Sequence, residues 1–297
     1  MMSMQRRFYI LDVFAEKKYA GNQLAVIRDA AGLTGEEMLT ITREMNYSES
    51  TFLLSEEARA GGYDVRIFTP GEEIPFAGHP TLGTAWLIQQ EVIKQPVPQV
   101  MLNYQVGQIR VDFTYKDGHP EELWMQQLEP EFGAIFDPAA VAPVLGLESA
   151  QIDSRFPCQE VSTGLPFVIV PLRDLAAVRA CRTNTKALLE LLEHTAAKNM
   201  LVFAPETYQP ENDLNVRVFT DYLGIPEDPA TGSANGCLAG YLAKHRYFGS
   251  SQVDVRVEQG YEINRESLLL LRAEDTSQNI SIQVGGRVVL VATGELV

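Results

Sequence analysis

Cysteine, histidine and long apolar runs are scarce in this chain of 297 residues. The three cysteines, Cys158, Cys181 and Cys237, are widely spaced and form no Cys-x-x-Cys pair, which is typical of a protein from a reducing compartment. The four histidines show no metal-binding spacing, so no metal site is expected. No apolar run approaches the roughly 20 residues of a membrane helix, and residues 1–12 lack the apolar core of a signal peptide. We therefore expect a cytoplasmic protein that does not enter membranes.

Basic charge is also scarce. Lys and Arg number 24 against 39 Asp and Glu, which gives a formal net charge of −15. Nucleic-acid binders present a basic face, and this chain has no basic cluster longer than Arg6-Arg7 or Lys17-Lys18. DNA, RNA and anionic membranes are therefore not expected as partners. A small anion would need a local attraction, such as the positive end of a helix, because the overall field repels it.

An internal repeat organises the chain. The segment Val65-Arg66-Ile67-Phe68-Thr69 recurs about half a chain length later as Val216-Arg217-Val218-Phe219-Thr220. In both copies an Ile-Pro pair follows, and then a turn rich in Gly, Pro and Thr. Each turn leads into a helix of small apolar residues, expected at approximately residues 80–90 and 233–244. Two similar domains are the natural interpretation.

Most of the remaining pattern predicts strands, so the expected fold class is α+β. Short runs rich in β-branched and aromatic residues recur in both halves of the chain. A surface helix is expected to begin at Thr34, because Glu37 completes a capping box with it. The small residues of the two repeated helices suggest that strands pack closely around them. We expect domains at residues 1–118 and 119–285, each with one helix inside its sheet.

The two turns before the repeated helices form the first candidate site. They contain Gly78 and Pro80 in one copy, and Thr231, Gly232 and Ser233 in the other. A helix start presents unpaired N–H groups and a partial positive charge, so the two starts together could hold a carboxylate or an enolate-like charge. Ordinary turn and capping roles explain the same residues equally well. The residues alone leave both interpretations open.

Three titratable residues near these turns are candidates for acid–base chemistry. His79 directly precedes Pro80, where the positive helix end would lower its pKa; an exposed turn residue is the alternative. Asp228 precedes Pro229, and a carboxylate there commonly caps backbone N–H groups. Glu49 directly precedes an apolar strand, where burial could raise its pKa towards that of a general base. An exposed glutamate at a strand end is the alternative for Glu49.

Several motifs together resemble the PhzF (phenazine biosynthesis) family. The two long signatures are residues 68–85, which include Ala77-Gly78-His79-Pro80-Thr81, and Glu227-Asp228-Pro229-Ala230-Thr231-Gly232-Ser233-Ala234. Shorter matching segments in the same order are Asp12-Val13-Phe14, Gly21-Asn22, Ser48-Glu49-Ser50-Thr51-Phe52 and Thr163-Gly164-Leu165-Pro166. Gln23 stands where the family often has Pro, and Ser50 where Thr is frequent. Neither change removes a candidate catalytic group.

This resemblance implies a diaminopimelate epimerase-like fold with two pseudo-symmetric domains, each a rolled, mostly antiparallel sheet around a central helix. It implies that residues 286–297 return to complete the first domain, that the active site lies in the cleft between the domains, and that no cofactor is used. Homodimers are usual in the family. The family's glutamate base corresponds to Glu49, its histidine to His79 and its aspartate to Asp228. The substrate-binding positions that it implies are Asn22, Gly78, Pro80, Thr231, Gly232 and Ser233.

The preferred hypothesis is a cofactor-independent isomerase that moves a carbon-bound proton on a small carboxylate-bearing substrate by general acid–base catalysis. Racemases of the same fold with two catalytic cysteines need a thiol at each helix start, and this chain has none there. A serine hydrolase that uses Ser233, His79 and Asp228 as a triad is one alternative, although Ser233 is not in a Gly-x-Ser-x-Gly motif. A non-catalytic small-molecule binder of the same fold is the other, because a fold alone does not establish catalysis.

Overall fold

A computed structural model describes residues 6–223, 225–276 and 278–297; residues 1–5 of the expected first domain lie outside this part. The strands of the first half are β1 (Arg6–Val13), β2 (Asn22–Ile27), β3 (Glu49–Leu53), β4 (Tyr63–Phe68), β5 (Glu73–Ile74), β6 (Gln99–Tyr104), β7 (Gly107–Lys116), β8 (His119–Gln126) and β9 (Glu131–Phe136). Those of the second half are β10 (Cys158–Ser162), β11 (Pro166–Pro171), β12 (Asn199–Ala204), β13 (Leu214–Thr220), β14 (Ile225–Asp228), β15 (Gln252–Gln259), β16 (Ser267–Asp275), β17 (Ile280–Gly286) and β18 (Val288–Leu296). The helices are α1 (Gly35–Met45), α2 (Gly78–Leu87), α3 (Pro138–Val141), α4 (Leu175–Ala180), α5 (Thr185–Leu191) and α6 (Gly232–Lys244).

The chain forms two compact units. Unit 1 comprises Met1–Met125 and Gly285–Val297, and unit 2 comprises Gln126–Val284. The chain passes from one unit to the other within β8 and again within β17. The boundary expected from the sequence, between residues 118 and 119, lies in the turn that joins β7 to β8.

In unit 1 a mixed, mostly antiparallel sheet surrounds α2. The strands pair in the order β18-β1-β2-β3-β4-β6-β7-β8; β2–β3 and β4–β6 are parallel, and the other pairs in this order are antiparallel. Helix α2 contacts β1, β2, β3, β6, β7 and β18. The hydroxyls of Thr51 on β3 and Thr84 on α2 are 2.8 Å apart. The next residue along β3, Phe52, packs instead with Met38 of α1. Because successive strand residues face opposite sides, α1 and α2 cover opposite faces of the sheet.

Unit 2 repeats this pairing order. Its strands pair as β9-β10-β11-β12-β13-β15-β16, with β11–β12 and β13–β15 parallel and the other pairs antiparallel. Helix α6 contacts β10, β11, β15 and β16, and it is buried over most of its length. Helices α3, α4 and α5 contribute to a separate apolar cluster with β10, β11 and β12. Each unit therefore has one helix inside its sheet and a further layer of helix outside it.

The repeated sequence segments form β4 and β13, and they occupy matching places in the two sheets. Each pairs antiparallel with the strand before it and parallel with the strand after the central helix. In the first of these pairings, Ser50 lies opposite Phe68 and Met200 lies opposite Phe219. Glu49 and Asn199, which begin β3 and β12, therefore occupy equivalent positions.

The repeat also duplicates an arginine–glutamate pair beside each central helix. Arg66 on β4 donates to both carboxylate oxygens of Glu73 on β5, at 2.7 and 2.6 Å. Arg217 on β13 donates in the same way to Glu227 on β14, at 3.0 and 2.7 Å. Each guanidinium lies over the phenylalanine ring two residues along its own strand. These pairs attach the short strand that precedes each central helix to its sheet.

Several local expectations hold, and others need correction. The capping box at Thr34 is confirmed, since the Thr34 amide donates to Glu37 and the Glu37 amide to Thr34. The first repeated helix begins at Gly78, earlier than expected, because Pro80 is accommodated inside the first turn; after Leu87 it continues as a π-helical turn over Ile88–Ile93. Strands β9 and β10 were not expected. The sequence of β9 is interrupted by a glycine and mostly exposed, so it lacks an apolar alternation.

Candidate active site

Glu49 and His79 lie together in unit 1. Glu49 begins β3 and His79 is the second residue of α2, so the sheet and its enclosed helix position the two side chains. Nε2 of His79 is 3.5 Å from Oε2 of Glu49. The His79 residue is only 6% exposed, and the Glu49 side chain is 19% exposed. The alternatives of an exposed turn histidine and an exposed strand-end glutamate are therefore wrong.

Burial keeps the His79 imidazole neutral. It lowers the pKa of His79 to about 3, so the helix end is not the main cause of the shift that the sequence suggested. Nε2 also lies 3.3 Å from the backbone oxygen of Gln23. Because this carbonyl can only accept a hydrogen bond, we assign the ring proton to Nε2 and the free lone pair to Nδ1. The Nε2–H group thus faces both the Gln23 carbonyl and the Glu49 carboxylate.

The start of β2 lies beside Glu49 in unit 1. Asn22 begins the strand and is 2% exposed. Gly21 before it has a φ of +64°, and a Cβ there would lie 2.3 Å from the Val13 carbonyl oxygen, so only glycine fits. Leu24 pairs with Glu49 across the parallel β2–β3 register. Asn22 lies two residues before Leu24 and therefore on the same face of the sheet.

The remaining candidates lie together in unit 2. Asp228 ends β14, Thr231 immediately precedes α6, and Gly232 and Ser233 are the first two residues of α6. The Thr231 hydroxyl donates to Oδ2 of Asp228. Ser233 lies inside the helix at the position that corresponds to His79 in α2, and Thr231 occupies the cap position. The interpretation of Ser233 as a simple helix cap is therefore wrong.

The two central helices differ from the other helices in how they begin. Within the described residues, the residue before α2 and the residue before α6 make no capping side-chain hydrogen bond. Side chains cap the other four α-helices: Thr34 for α1, Asp137 for α3, Asp174 for α4 and Asn184 for α5. The backbone N–H groups that begin with Gly78 and Gly232 thus lack the partner that the surface helices have.

Gln259, at the end of β15, is a site-supporting residue that the sequence did not reveal. It is fully buried and hydrogen-bonds to both Asp228 and Thr231. The only local signal is the following Gly260, and a Gln-Gly pair occurs in many structural turns. Its contact with the loop before α6 depends on the fold of the β15–β16 hairpin, which a single sequence does not display.

The described residues contain neither a metal cluster nor a membrane-spanning helix, and their cysteines are buried. Across residues 6–223, 225–276 and 278–297, no group of three or more His, Cys, Asp or Glu side chains is arranged to hold a metal ion. Cys237 is buried one turn inside α6, and burial raises the pKa of its thiol to about 11, as suits a core residue. Over the same ranges, no helix combines the length and apolar character needed to span a bilayer.

Comparison with known proteins identifies the family of this chain. A sequence model described as "Phenazine biosynthesis-like protein" (PhzC-PhzF) matches residues 11–294. The chain belongs to this family. It is 35% identical over 289 residues to trans-2,3-dihydro-3-hydroxyanthranilate isomerase of Pseudomonas aeruginosa, which covers 97% of this chain and 98% of that protein. The crystal structure of a PhzF-family protein from Bacillus anthracis matches with a TM-score of 0.90 and 27% identity, and covers 99% of both chains.

The PhzF family membership confirms the expected fold class and enzyme class. The crystal structure of a probable proline racemase from Agrobacterium radiobacter matches with a TM-score of 0.62 at 10% identity, over 98% of this chain and 93% of that one, which shows a likeness in fold alone. The α+β, epimerase-like fold is thereby confirmed. The isomerase expectation is also confirmed, and the serine hydrolase and the non-catalytic binder are not favoured.

Proposed function

We propose that this enzyme moves a proton between two carbons of a small carboxylate-bearing substrate, with Glu49 as the base that removes and returns it. The carbon–carbon double bond shifts as the proton moves, so the reaction needs neither an oxidant nor a reductant. We further propose that it works without a cofactor or metal, as a homodimer in the cytoplasm. The contact between Glu49 and His79 at the start of α2 is the observation that carries this proposal.

The surroundings of Glu49 suit a general base. The carboxylate is only 19% exposed on a rigid strand end, so water competes weakly for it. The neutral His79 presents Nε2–H towards this carboxylate and can orient it without taking its proton. A fully buried imidazolium would instead hold Glu49 in a permanent ion pair and make it a weaker base. The low pKa of His79 therefore favours proton transfer by Glu49.

The uncapped helix starts suit the anionic substrate. Removing a proton from carbon leaves negative charge that spreads towards the carboxylate, and backbone N–H groups at a helix start stabilise such charge. The net charge of −15 repels anions overall, so these groups supply the local attraction. We propose that the amides around Gly78 and Gly232, together with the Ser233 hydroxyl, bind the substrate carboxylate. Asp228 orients or protonates the substrate from its position beside Thr231.

We propose that Asn22, Pro80 and Thr231 shape the binding of the substrate. The relative from Pseudomonas aeruginosa is named for trans-2,3-dihydro-3-hydroxyanthranilate, a cyclic amino acid with a hydroxyl group. We propose a substrate of this class for the present enzyme. The 35% identity supports the class of compound rather than the individual one.

Deuterium incorporation tests the proposed function. The enzyme is incubated in D₂O with trans-2,3-dihydro-3-hydroxyanthranilate and with a panel of small cyclic and acyclic amino and hydroxy acids, and carbon-bound deuterium is followed by NMR. Glu49→Gln is expected to lower the rate by at least about 10²-fold, because the amide cannot accept the proton. Glu44→Gln, which changes an exposed glutamate on α1 of the same unit, is the matched control and should retain the wild-type rate.

Two outcomes would contradict the proposal. Equal deuterium incorporation by the wild type and by a folded Glu49→Gln protein would remove Glu49 as the base. Tight binding of a panel acid without any incorporation would indicate a non-catalytic binder instead.

A further inference from the structure

The β15–β16 turn holds the loop between β14 and α6 through the side chain of Gln259. Oε1 of Gln259 accepts hydrogen bonds from the Thr231 amide at 3.1 Å and from Nδ2 of Asn235 at 2.8 Å. Nε2 donates to the Asp228 backbone oxygen at 2.8 Å and to the Thr231 hydroxyl at 3.0 Å. A primary amide has two donors and two acceptor lone pairs, so this buried side chain uses its full capacity.

These partners fix the direction of each hydrogen bond. The Thr231 amide can only donate and the Asp228 carbonyl can only accept, so the Gln259 amide cannot be reversed. The Thr231 hydroxyl receives one of its N–H groups, and its own proton is therefore directed to Oδ2 of Asp228. The Asp228 side chain is thus oriented by Gln259 through a single intervening hydroxyl.

The backbone beside Gln259 is shaped to bring the loop this close. Gly260 has a φ of +79°, and a Cβ there would lie 2.6 Å from the Pro229 carbonyl oxygen. Oγ of Ser267, at the start of β16, lies 2.9 Å from the same oxygen. The turn therefore contacts the loop at Asp228, Pro229 and Thr231.

The amide is not a general requirement of the fold. In unit 2 Gln259 pairs with Val216 of the repeat, and in unit 1 the parallel β4–β6 register places Tyr104 at the equivalent position beside Val65. Tyr104 is buried, so in unit 1 an aromatic ring occupies the position that the Gln259 amide has in unit 2. The glutamine is thus found in the unit whose loop carries Asp228.

We propose that Gln259 is a positioning residue that sets the orientation of Asp228 and the start of α6 for catalysis. This inference rests on the proposed function for the catalytic role of Asp228, whereas the effect on the loop itself does not. Gln259 acts through Thr231 and the backbone, and its side chain is fully buried behind the loop.

Hydrogen–deuterium exchange of the free proteins tests the positioning without any substrate. In Gln259→Met, amide exchange over residues 228–235 is expected to accelerate at least about tenfold, since the variant keeps the side-chain length but loses four hydrogen bonds. Residues 76–82 at the start of α2 should exchange as in the wild type. Gln159→Met is the matched control, because Gln159 is a buried glutamine of unit 2 that contacts His245 and Gly133. Unchanged exchange over residues 228–235 in Gln259→Met overturns the proposal.

Kinetics with trans-2,3-dihydro-3-hydroxyanthranilate tests the catalytic consequence. Gln259→Met is expected to lower kcat by about 10- to 100-fold with a smaller change in KM, the effect of a displaced catalytic group. Gln259→Glu should be partly rescued at low pH, because the protonated carboxyl supplies one of the two donors of the amide and still accepts hydrogen bonds. Its kcat relative to the wild type should fall as pH rises and the new charge faces the Asp228 carboxylate through Thr231.

The outcomes separate this inference from the proposed function. Equal loss of kcat in Gln259→Met and Gln159→Met, or a Gln259→Glu to wild-type ratio that does not vary with pH while both remain folded, overturns a role in catalysis. If the wild type moves no carbon-bound proton while exchange responds as expected, the proposed function fails and the positioning of the loop stands.

Discussion

The buried, neutral His79 makes the stability of the protein depend on pH in a way that one substitution can isolate. In the folded state burial lowers the pKa of His79 to about 3, whereas in the unfolded chain it returns to about 6.5. Below pH 6.5 the unfolded chain therefore binds a proton that the folded protein does not. The free energy of unfolding must decrease as pH falls from 6.5 towards 3.

The expected size of this effect follows from the two pKa values. Each pH unit inside the window corresponds to about 1.4 kcal/mol, so His79 alone should remove about 2 kcal/mol of stability between pH 7 and pH 5. The Glu49 carboxylate, 3.5 Å from Nε2, acts in the opposite direction, because a nearby negative charge favours protonation. The measured slope therefore reports whether burial or the charge of Glu49 dominates at His79.

Equilibrium denaturant unfolding at several pH values between 5 and 8 measures this slope. His79→Gln removes the titrating group, so the stability of the wild type relative to this variant should decrease by about 2 kcal/mol from pH 7 to pH 5. His194→Gln is the control, since the His194 side chain is 90% exposed, and its curve should parallel that of the wild type. Parallel curves for the wild type and His79→Gln would refute the neutral histidine. A relative stability of the wild type that instead increases towards pH 5 would indicate an ionised pair with Glu49.

Two further predictions concern the supports of the candidate site. Arg217→Met leaves a glutamate with a 7% exposed side chain unpaired, so it should lower the free energy of unfolding by about 3–5 kcal/mol in denaturant unfolding. Arg66→Met, in the more exposed equivalent pair, should lower it by about 1 kcal/mol. Equal losses of stability in the two variants would contradict this reasoning. Gly21→Ala should lower the free energy of unfolding by about 2–4 kcal/mol. The new Cβ would clash with a backbone oxygen of β1, and alanine would also have to adopt an unfavourable positive φ. In the same denaturant unfolding assay Gly118→Ala should cost about 1 kcal/mol, because the new Cβ there meets an unfavourable φ but no neighbouring atom. An equal effect of both substitutions would exclude the close contact as the cause.

The sequence predicted those parts of the structure that arise from local pattern and from the repeat. The repeated five-residue segment corresponds to β4 and β13, which have matching registers, and the small-residue runs correspond to α2 and α6. The capping box at Thr34 was also readable, because both of its hydrogen bonds join residues only three apart. Patterns of this kind are predictable because the residues that form them are close together in the sequence or are repeated in it.

Features that depend on distant parts of the chain were not predictable. The burial of His79 depends on strands from both ends of unit 1, and its position beside a proline, taken without other context, favoured an exposed turn residue. Gln259 reaches Asp228 only because the β15–β16 hairpin folds back on the loop before α6. A strand such as β9, which is mostly exposed, gave no apolar alternation to detect.

The two units share the same arrangement of strands and central helix, but the equivalent positions in them hold different side chains, and this difference is relevant to the proposed chemistry. Glu49 and Asn199 begin equivalent strands, and His79 and Ser233 are the second residues of equivalent helices, so unit 1 carries a carboxylate and an imidazole where unit 2 carries an amide and a hydroxyl. An amide and a hydroxyl can orient a substrate but cannot hold the transferred proton at neutral pH. Under the proposed function, Glu49 removes and returns the proton, so the transfer stays on the face of the substrate that Glu49 contacts.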